Sequence, residues 1–213
     1  NSKIVKVGHV ASDYWFKNLN FSNFNPKKIL YFSFGPLTYL NQLGDKKQNL
    51  NWNDLLTDIH KILIDFFKEN KKFELDYKIS KKGHRDYFEP RGEILQLDNC
   101  KLIDGKTNSE DLILNSGLII GFQSTATIDA LYSNVPVIYP GWGKIFKEIE
   151  PEILTFSKHT KNTGIYHAKS PLEFYNFLKK LTGKKINDEE RKNRDKLIFT
   201  FTNNKNGDLS KKI

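Results

Sequence analysis

The segment 110–140, EDLILNSGLIIGFQSTATIDALYSNVPVIYP, constrains the fold more than any other part of this chain. The apolar run Gly117-Leu118-Ile119-Ile120-Gly121 leads into a small polar turn, Gln123-Ser124-Thr125. A helical pattern follows over 126–132, then a second β-branched run over 136–139. Strand, turn, short helix and strand at this spacing predict a compact βαβ unit with parallel strands. A polar turn at a helix N-terminus leaves backbone N–H groups pointing past the end of the sheet. Together with the positive end of the helix dipole they predict a seat for a phosphate. A plain N-cap at Ser124 or Thr125 accounts for the same residues. Location favours the phosphate, because ligands of open parallel sheets sit beyond the carboxyl ends of the strands.

The remaining chain repeats the same alternation. Residues 28–34 are β-branched and aromatic and stop at Gly35-Pro36. Over 52–67, Leu55, Leu56, Ile59, Ile62, Leu63, Phe66 and Phe67 fall at helical spacing, with Asn51 or Asn53 as the cap. Strands are predicted over 73–79 and 93–97, and a capped helix with an acidic first turn over 108–115. Ser170-Pro171 starts a helix over 171–181, and a last charged helix covers about 188–199. Strands alternating with helices predict an α/β, three-layer domain with a mostly parallel sheet covered on both faces. The strands fall near 29–34, 74–79, 93–97, 117–121 and 136–139.

Three segments are expected. A lone strand at 4–10 with an Asn-rich linker at 18–28 makes 1–25 a remnant of a preceding domain. Residues 26–187 form the α/β domain, and 188–213 a charged helix and tail peripheral to its core. The sequence has 213 residues and no methionine, even at position 1, and is read as a piece of a longer protein.

Charge and composition exclude several classes. Lys and Arg number 34 against 25 Asp and Glu, a net charge of +9. The cations are scattered, which attracts anions without drawing a nucleic-acid stripe, so no nucleic-acid partner is expected. A single cysteine, Cys100, excludes an internal disulfide and a multi-cysteine zinc site. HExxH, paired cysteine and His-x-His spacings are absent, so no metal is assigned; GxGxxG and GxxxxGK[ST] are absent too, so neither is a dinucleotide or Walker site. No apolar run reaches 18 residues. A second candidate site is Lys82-Gly83-His84-Arg85, whose cations at a strand end could meet a phosphate or simply face solvent. His60 is expected to be partly packed in its helix, and Gly141-Trp142-Gly143 reads as a turn.

The order of elements and the segment 117–139 resemble the C-terminal, nucleotide-sugar-binding half of GT-B glycosyltransferases, a Rossmann-like domain. The likeness covers roughly residue 26 to the end. It is strongest to bacterial capsule and surface-polysaccharide transferases and to CDP-glycerol glycerophosphotransferases. The resemblance implies that Ser124 and Thr125, with Gln123 and Ala126 around them, contact the donor phosphate. His84 takes the place of a His-Pro motif, with Arg85 standing where proline would be, which argues against a CMP-sugar donor; Lys82 stands beside it. Phe32-Ser33-Phe34-Gly35-Pro36 is similar to the first strand and glycine loop, which puts Gly35 and Pro36 at the interdomain cleft. It further implies sugar transfer from a nucleotide-activated donor to a surface polysaccharide or lipid-linked glycan, without metal or cofactor. The acceptor site and an N-terminal GT-B domain would lie outside this chain, and the protein would work in the cytoplasm at the inner face of the cell membrane, with peripheral membrane-surface association. No catalytic base is assigned. An epimerase of the same fold and a non-catalytic nucleotide-sugar-binding module remain alternatives.

Overall fold

A computed structural model describes residues 12–18, 24–35, 37–38, 50–79, 91–122, 124–150, 156–204 and 207. Six strands build one sheet: β1 (Lys28–Phe32), β2 (Glu74–Lys78), β3 (Cys100–Ile103), β4 (Leu118–Ile120), β5 (Val137–Pro140) and β6 (Ile165–Ala168). All pairings are parallel and the spatial order is β3-β2-β1-β4-β5-β6. This is the doubly wound order, in which the chain works outward from β1 to one edge and then returns to build the other half from β4. A two-residue antiparallel ladder, Leu37–Thr38 with Leu50–Asn51, stands apart from it.

Burial explains the parallel arrangement. Ile29, Leu30 and Tyr31 are wholly buried, as are Leu118, Ile119 and Ile120, and Val137, Ile138 and Tyr139. Neighbouring residues of a strand face opposite sides, so runs like these require cover on both faces. Helix α2 (Asn53–Glu69) supplies part of that cover through Leu55, Leu56, Ile59, Leu63, Phe66 and Phe67, a stripe of 3.6-residue period. It packs beside α3 (Arg91–Leu95) and α7 (Pro171–Leu181), while α4 (Ser109–Leu114) packs against α5 (Thr125–Ala130). The helix starts are capped much as their sequences predict. Asn108 takes the Glu110 amide and Ser170 that of Glu173; the expected asparagine cap of α2 is replaced by Trp52, which makes no side-chain cap, while Asn51 Oδ1 just ahead of it accepts from Asn53 N.

The structure differs from the sequence reading at four places. Residues 93–97 are not a strand: α3 occupies Arg91–Leu95, and Ile94 and Leu97, three apart, are the buried pair. The strand beside β2 is β3, whose exposed Lys101 and Leu102 obscure its pattern. β6 was not anticipated. A short helix, α1 (Asp13–Asn18), stands ahead of the expected linker; the expected strand at 4–10 lies outside the described residues.

The fourth difference is α8 (Asp188–Thr202), which is no peripheral element. Its Arg194 is fully buried. Nε donates to Thr163 O at 2.8 Å, Nη1 to Ser133 O at 3.0 Å and Val135 O at 2.9 Å, and Nη2 to Gly164 O at 2.7 Å. Gly164, at φ 67°, gives the guanidinium room, since a Cβ there would stand 2.5 Å from Nη2. Helix α1 joins the same assembly. Trp15 stacks on Tyr132 with centroids 5.5 Å apart, and Asn204 Nδ2 donates to Ser12 Oγ and Asp13 Oδ1.

Candidate functional site

In the doubly wound order, adjacent connections leave the sheet in opposite directions between β1 and β4, and a crevice opens at their carboxyl ends. Two of the sequence-predicted segments arrive there. Ser33-Phe34-Gly35 leaves β1, and Gly121-Phe122 leaves β4 toward Ser124. Tyr31 is the register partner of Ile120, which sets the two exits side by side. Gly35, Ser124, Thr125 and Ala126 are therefore gathered at one end of the sheet. Pro36, Lys82, His84 and Gln123 lie outside the described residues, as does Arg85.

The packing around the β4 exit is aromatic. Phe34 and Phe122 have centroids 4.6 Å apart, Trp52 meets Phe122 edge-on at 5.0 Å, and Tyr139 stacks on Phe122 at 5.6 Å. Gly121 permits this packing, because a Cβ at that position would run into the Thr127 side chain. Thr127 Oγ1 in turn donates to Phe122 O at 3.4 Å, holding the turn against α5.

Ser124 takes up the capping role. Its φ of −142° and ψ of 144° are those of an N-cap, and Oγ accepts from Ala126 N at 3.1 Å. Thr127 N donates to Ser124 O at 3.0 Å. The Ala126 amide predicted for an anion is thus engaged within the turn. The amides of Ser124 and Thr125 have no acceptor among the described residues. The capping bond uses a lone pair of Oγ, so the Ser124 hydroxyl proton stays available to an outside acceptor.

Neighbouring strand ends add polar groups that the sequence reading missed. At the end of β2, Lys78 is 4% exposed and its Nζ donates to Asp104 O at 2.7 Å. Tyr77 Oη bridges Ser33 Oγ, at 2.9 Å, and His60 Nε2, at 3.2 Å. Past β5, Trp142 Nε1 donates to Asp58 Oδ2 at 3.0 Å, tying the Gly141-Trp142-Gly143 turn to α2. His167 Nε2 donates to Gly141 O at 2.9 Å across the ends of β5 and β6, and burial holds its pKa below the usual histidine range. Alternation along 73–79 marks Tyr77 as inward-facing, but no local pattern announces that His60 would meet it from α2.

Cys100 is not a nucleophile in waiting. Burial, with Asp76 nearby, pushes its thiol up to about 12. Among the described residues no three His, Cys, Asp or Glu side chains converge on a metal position, and no helix is long and apolar enough to cross a membrane.

No protein-family model and no curated protein matches the sequence. Solved structures do match in fold. Over 89% of this chain and 34% of its own length, TarM superposes with a TM-score of 0.55 at 14% identity. The UDP-GlcNAc 2-epimerase of Methanocaldococcus jannaschii, solved with UDP-GlcNAc and UDP, gives 0.53 at 13% identity over 93% of this chain and 55% of its own. Anabaena HepE, solved with UDP-glucose, gives 0.50 at 13% identity over 94% of this chain and 52% of its own. The chain thus spans from a third to about half of the length of these proteins. At such identities the likeness is one of fold. With its six-stranded parallel sheet and flanking helices, the chain has the Rossmann-like architecture of one half of a GT-B fold.

Proposed function

We propose that this chain is the donor-binding half of a glycosyltransferase, which moves a sugar from a nucleotide-activated donor to a bacterial surface polysaccharide or lipid-linked glycan. The observation that carries the reading is the convergence of Gly35 and the Ser124–Thr125 turn at the switch between β1 and β4. Two proteins of similar fold were solved with UDP-sugars, which supports a nucleotide-sugar as the ligand. In this reading the diphosphate lies against the Ser124 and Thr125 amides and hydroxyls, with Lys82 or His84 approaching from beyond β2. Leaving-group charge that builds on the phosphate is met by fixed backbone donors and a cation, in a crevice bordered by the aromatic packing around the β4 exit. This assigns the stabilisation to dipole and cation rather than to a metal. A preceding domain supplies the acceptor site, so the chain alone turns over slowly. The reaction takes place at the cytoplasmic face of the membrane, with the protein attached peripherally.

Calorimetry with CMP, CDP, UDP, GDP and their sugars tests the reading. Ser124→Ala and Thr125→Ala should each weaken binding about tenfold or more, since a hydrogen bond to a charged group is worth about 1.5–3 kcal/mol. Lys82→Ala should weaken it in a salt-sensitive manner, and Lys184→Ala should not. Unchanged affinity in the Ser124/Thr125 double variant would overturn the assignment. The epimerase match supports a second reading, in which a nucleotide-sugar incubated without acceptor returns with an altered sugar.

A further inference from the structure

At the amino end of the sheet, opposite the crevice, a second concave surface opens between α8 and the chain entering β6. The cavity holds about 490 Å³ and is lined by Lys158, His159, Lys161, Glu189, Asn193 and Lys196, among others. Gly164 O, which accepts from Val137 N, marks the start of β5 and β6, whereas the crevice lies past the carboxyl ends of β1 and β4. At least the length of the four-residue β6 separates the two, roughly 13 Å at about 3.3 Å per residue.

The walls of this cavity are held from several sides. On α8, Glu189, Asn193, Lys196 and Thr200 recur at helical spacing and share one face. Asn193 Nδ2 donates to Asn162 O at 3.1 Å, and Asn162 Nδ2 to Glu189 Oε1 at 2.9 Å. Asn162 itself takes φ 51°, a left-handed turn that asparagine tolerates. Thr163 Oγ1 closes the turn onto His159 O at 2.6 Å, and the His159 ring meets Phe201 edge-on at 5.6 Å. From beneath, Arg194 holds Thr163 O and Gly164 O. The backbone that carries Lys158 and Lys161 is thus fixed against the helix face that carries Lys196, so the cavity is arranged before any ligand arrives.

Charge defines the ligand. Three ammonium groups line the cavity against one carboxylate, and none of the three is paired with an acidic side chain among the described residues. Glu189, the one carboxylate, is already engaged by Asn162 Nδ2. A phosphate monoester carries close to two negative charges and three acceptor oxygens, which matches that excess. Lysine meets phosphate as a point charge, so cations on separate walls can share one phosphate without a planar geometry. The volume leaves room for an organic group beside it. A nucleic acid calls instead for cations in a stripe along a face.

We propose that this cavity binds the phosphate group of a small phosphate ester, held by Lys158, Lys161 and Lys196. The site is separate from the crevice and does not depend on what the crevice binds.

The test is nitrogen-15 NMR of the full chain titrated with glycerol 3-phosphate at constant ionic strength. A Ser124→Ala/Thr125→Ala variant is titrated in parallel, because it alters the crevice and leaves this cavity intact. Amides of 158–163 and 193–200 should shift and saturate equally in both proteins. Lys158→Ala, Lys161→Ala and Lys196→Ala should each weaken binding about threefold, and the triple variant about tenfold or more. All three side chains are exposed, so the fold survives their loss. Lys180→Ala, at an exposed position of α7, should leave binding unchanged. Glu189→Gln keeps the acceptor for Asn162 and removes the opposing charge, and should tighten binding about twofold. Shifts that stay linear with concentration, an affinity retained by the triple variant, or weaker binding by Glu189→Gln would each overturn the proposal. Cosedimentation with phosphatidylglycerol vesicles that the triple variant loses, with no saturable binding of the soluble ester, would overturn it in favour of a membrane contact.

Discussion

His167 joins local chemistry to pH. Its Nε2 donates to Gly141 O, and its buried Nδ1 has no hydrogen-bond partner among the described residues. A second proton would have to sit on that enclosed nitrogen, against the rings of Tyr139 and Phe146, and burial accordingly depresses the folded-state pKa. The unfolded value is about 6.5. Between the depressed folded value and 6.5 the unfolded chain holds more protons than the folded one, so stability rises with pH across that window. This contribution is complete above about pH 6.5 and is lost as the pH falls below it. Urea midpoints measured from pH 7.5 down to 5 should therefore fall, and fall less steeply in His167→Gln. Parallel curves for the two proteins would show that His167 contributes nothing to the slope.

At the scale of elements, glycine placement decides how the strand ends turn into helices. Gly141 ends β5 where a Cβ would stand 2.6 Å from the Phe146 ring and 2.8 Å from His167 Nε2. Both neighbours are buried, so neither can swing into solvent. Gly141→Ala should cost about 1–3 kcal/mol, the usual price of overpacking a filled core, read as a lower denaturation midpoint. An unchanged midpoint would mean that α6 (Lys144–Ile149) can shift freely on the sheet. The same scale shows what was legible. β1, β2, β4 and β5 could be read because they are continuous apolar runs or clean alternations, and α2 because its stripe is long. β3 could not, since as an edge strand it carries Lys101 and an exposed Leu102, which mimic a loop. Residues 93–97 misled because Leu95 and Leu97 alternate like a strand, while the burial that matters is Ile94 with Leu97. Ser124 was legible as a cap and as a phosphate contact alike, and the structure fills the first role. The Ser33–Tyr77–His60 chain was illegible, since it joins three elements whose contact only the sheet order creates.

The whole molecule is closed by α8, which looked surface-bound because its sequence, DEERKNRDKLIFTFT, is dominated by charge. One of those charges is turned inward. Arg194 bonds four carbonyls on the segments entering β5 and β6, and burial lowers its pKa only to about 9, so it remains a cation at neutral pH. Arg191 adds bonds to Tyr132 O and Asn134 Oδ1, and Glu190 accepts from Tyr166 Oη at 2.7 Å. Beyond the helix, Asn204 binds Ser12 and Asp13, and α1 is joined to the rest of the fold through Tyr132, Asp129 and the end of α8. Arg194→Met removes all four donors and strands buried carbonyls. The expected loss is about 3–5 kcal/mol, the scale of breaking a buried charged network. Lysine, a point charge with three donors, should recover little of it. Hydrogen exchange gives the sharper reading. In the wild type, amides on the buried side of α8 should open only with β4 and β5; in Arg194→Met, α8 and α1 should open together below that level. If the wild-type α8 already exchanges far faster than the sheet, the helix is a loose appendage and Arg194 does not fasten it.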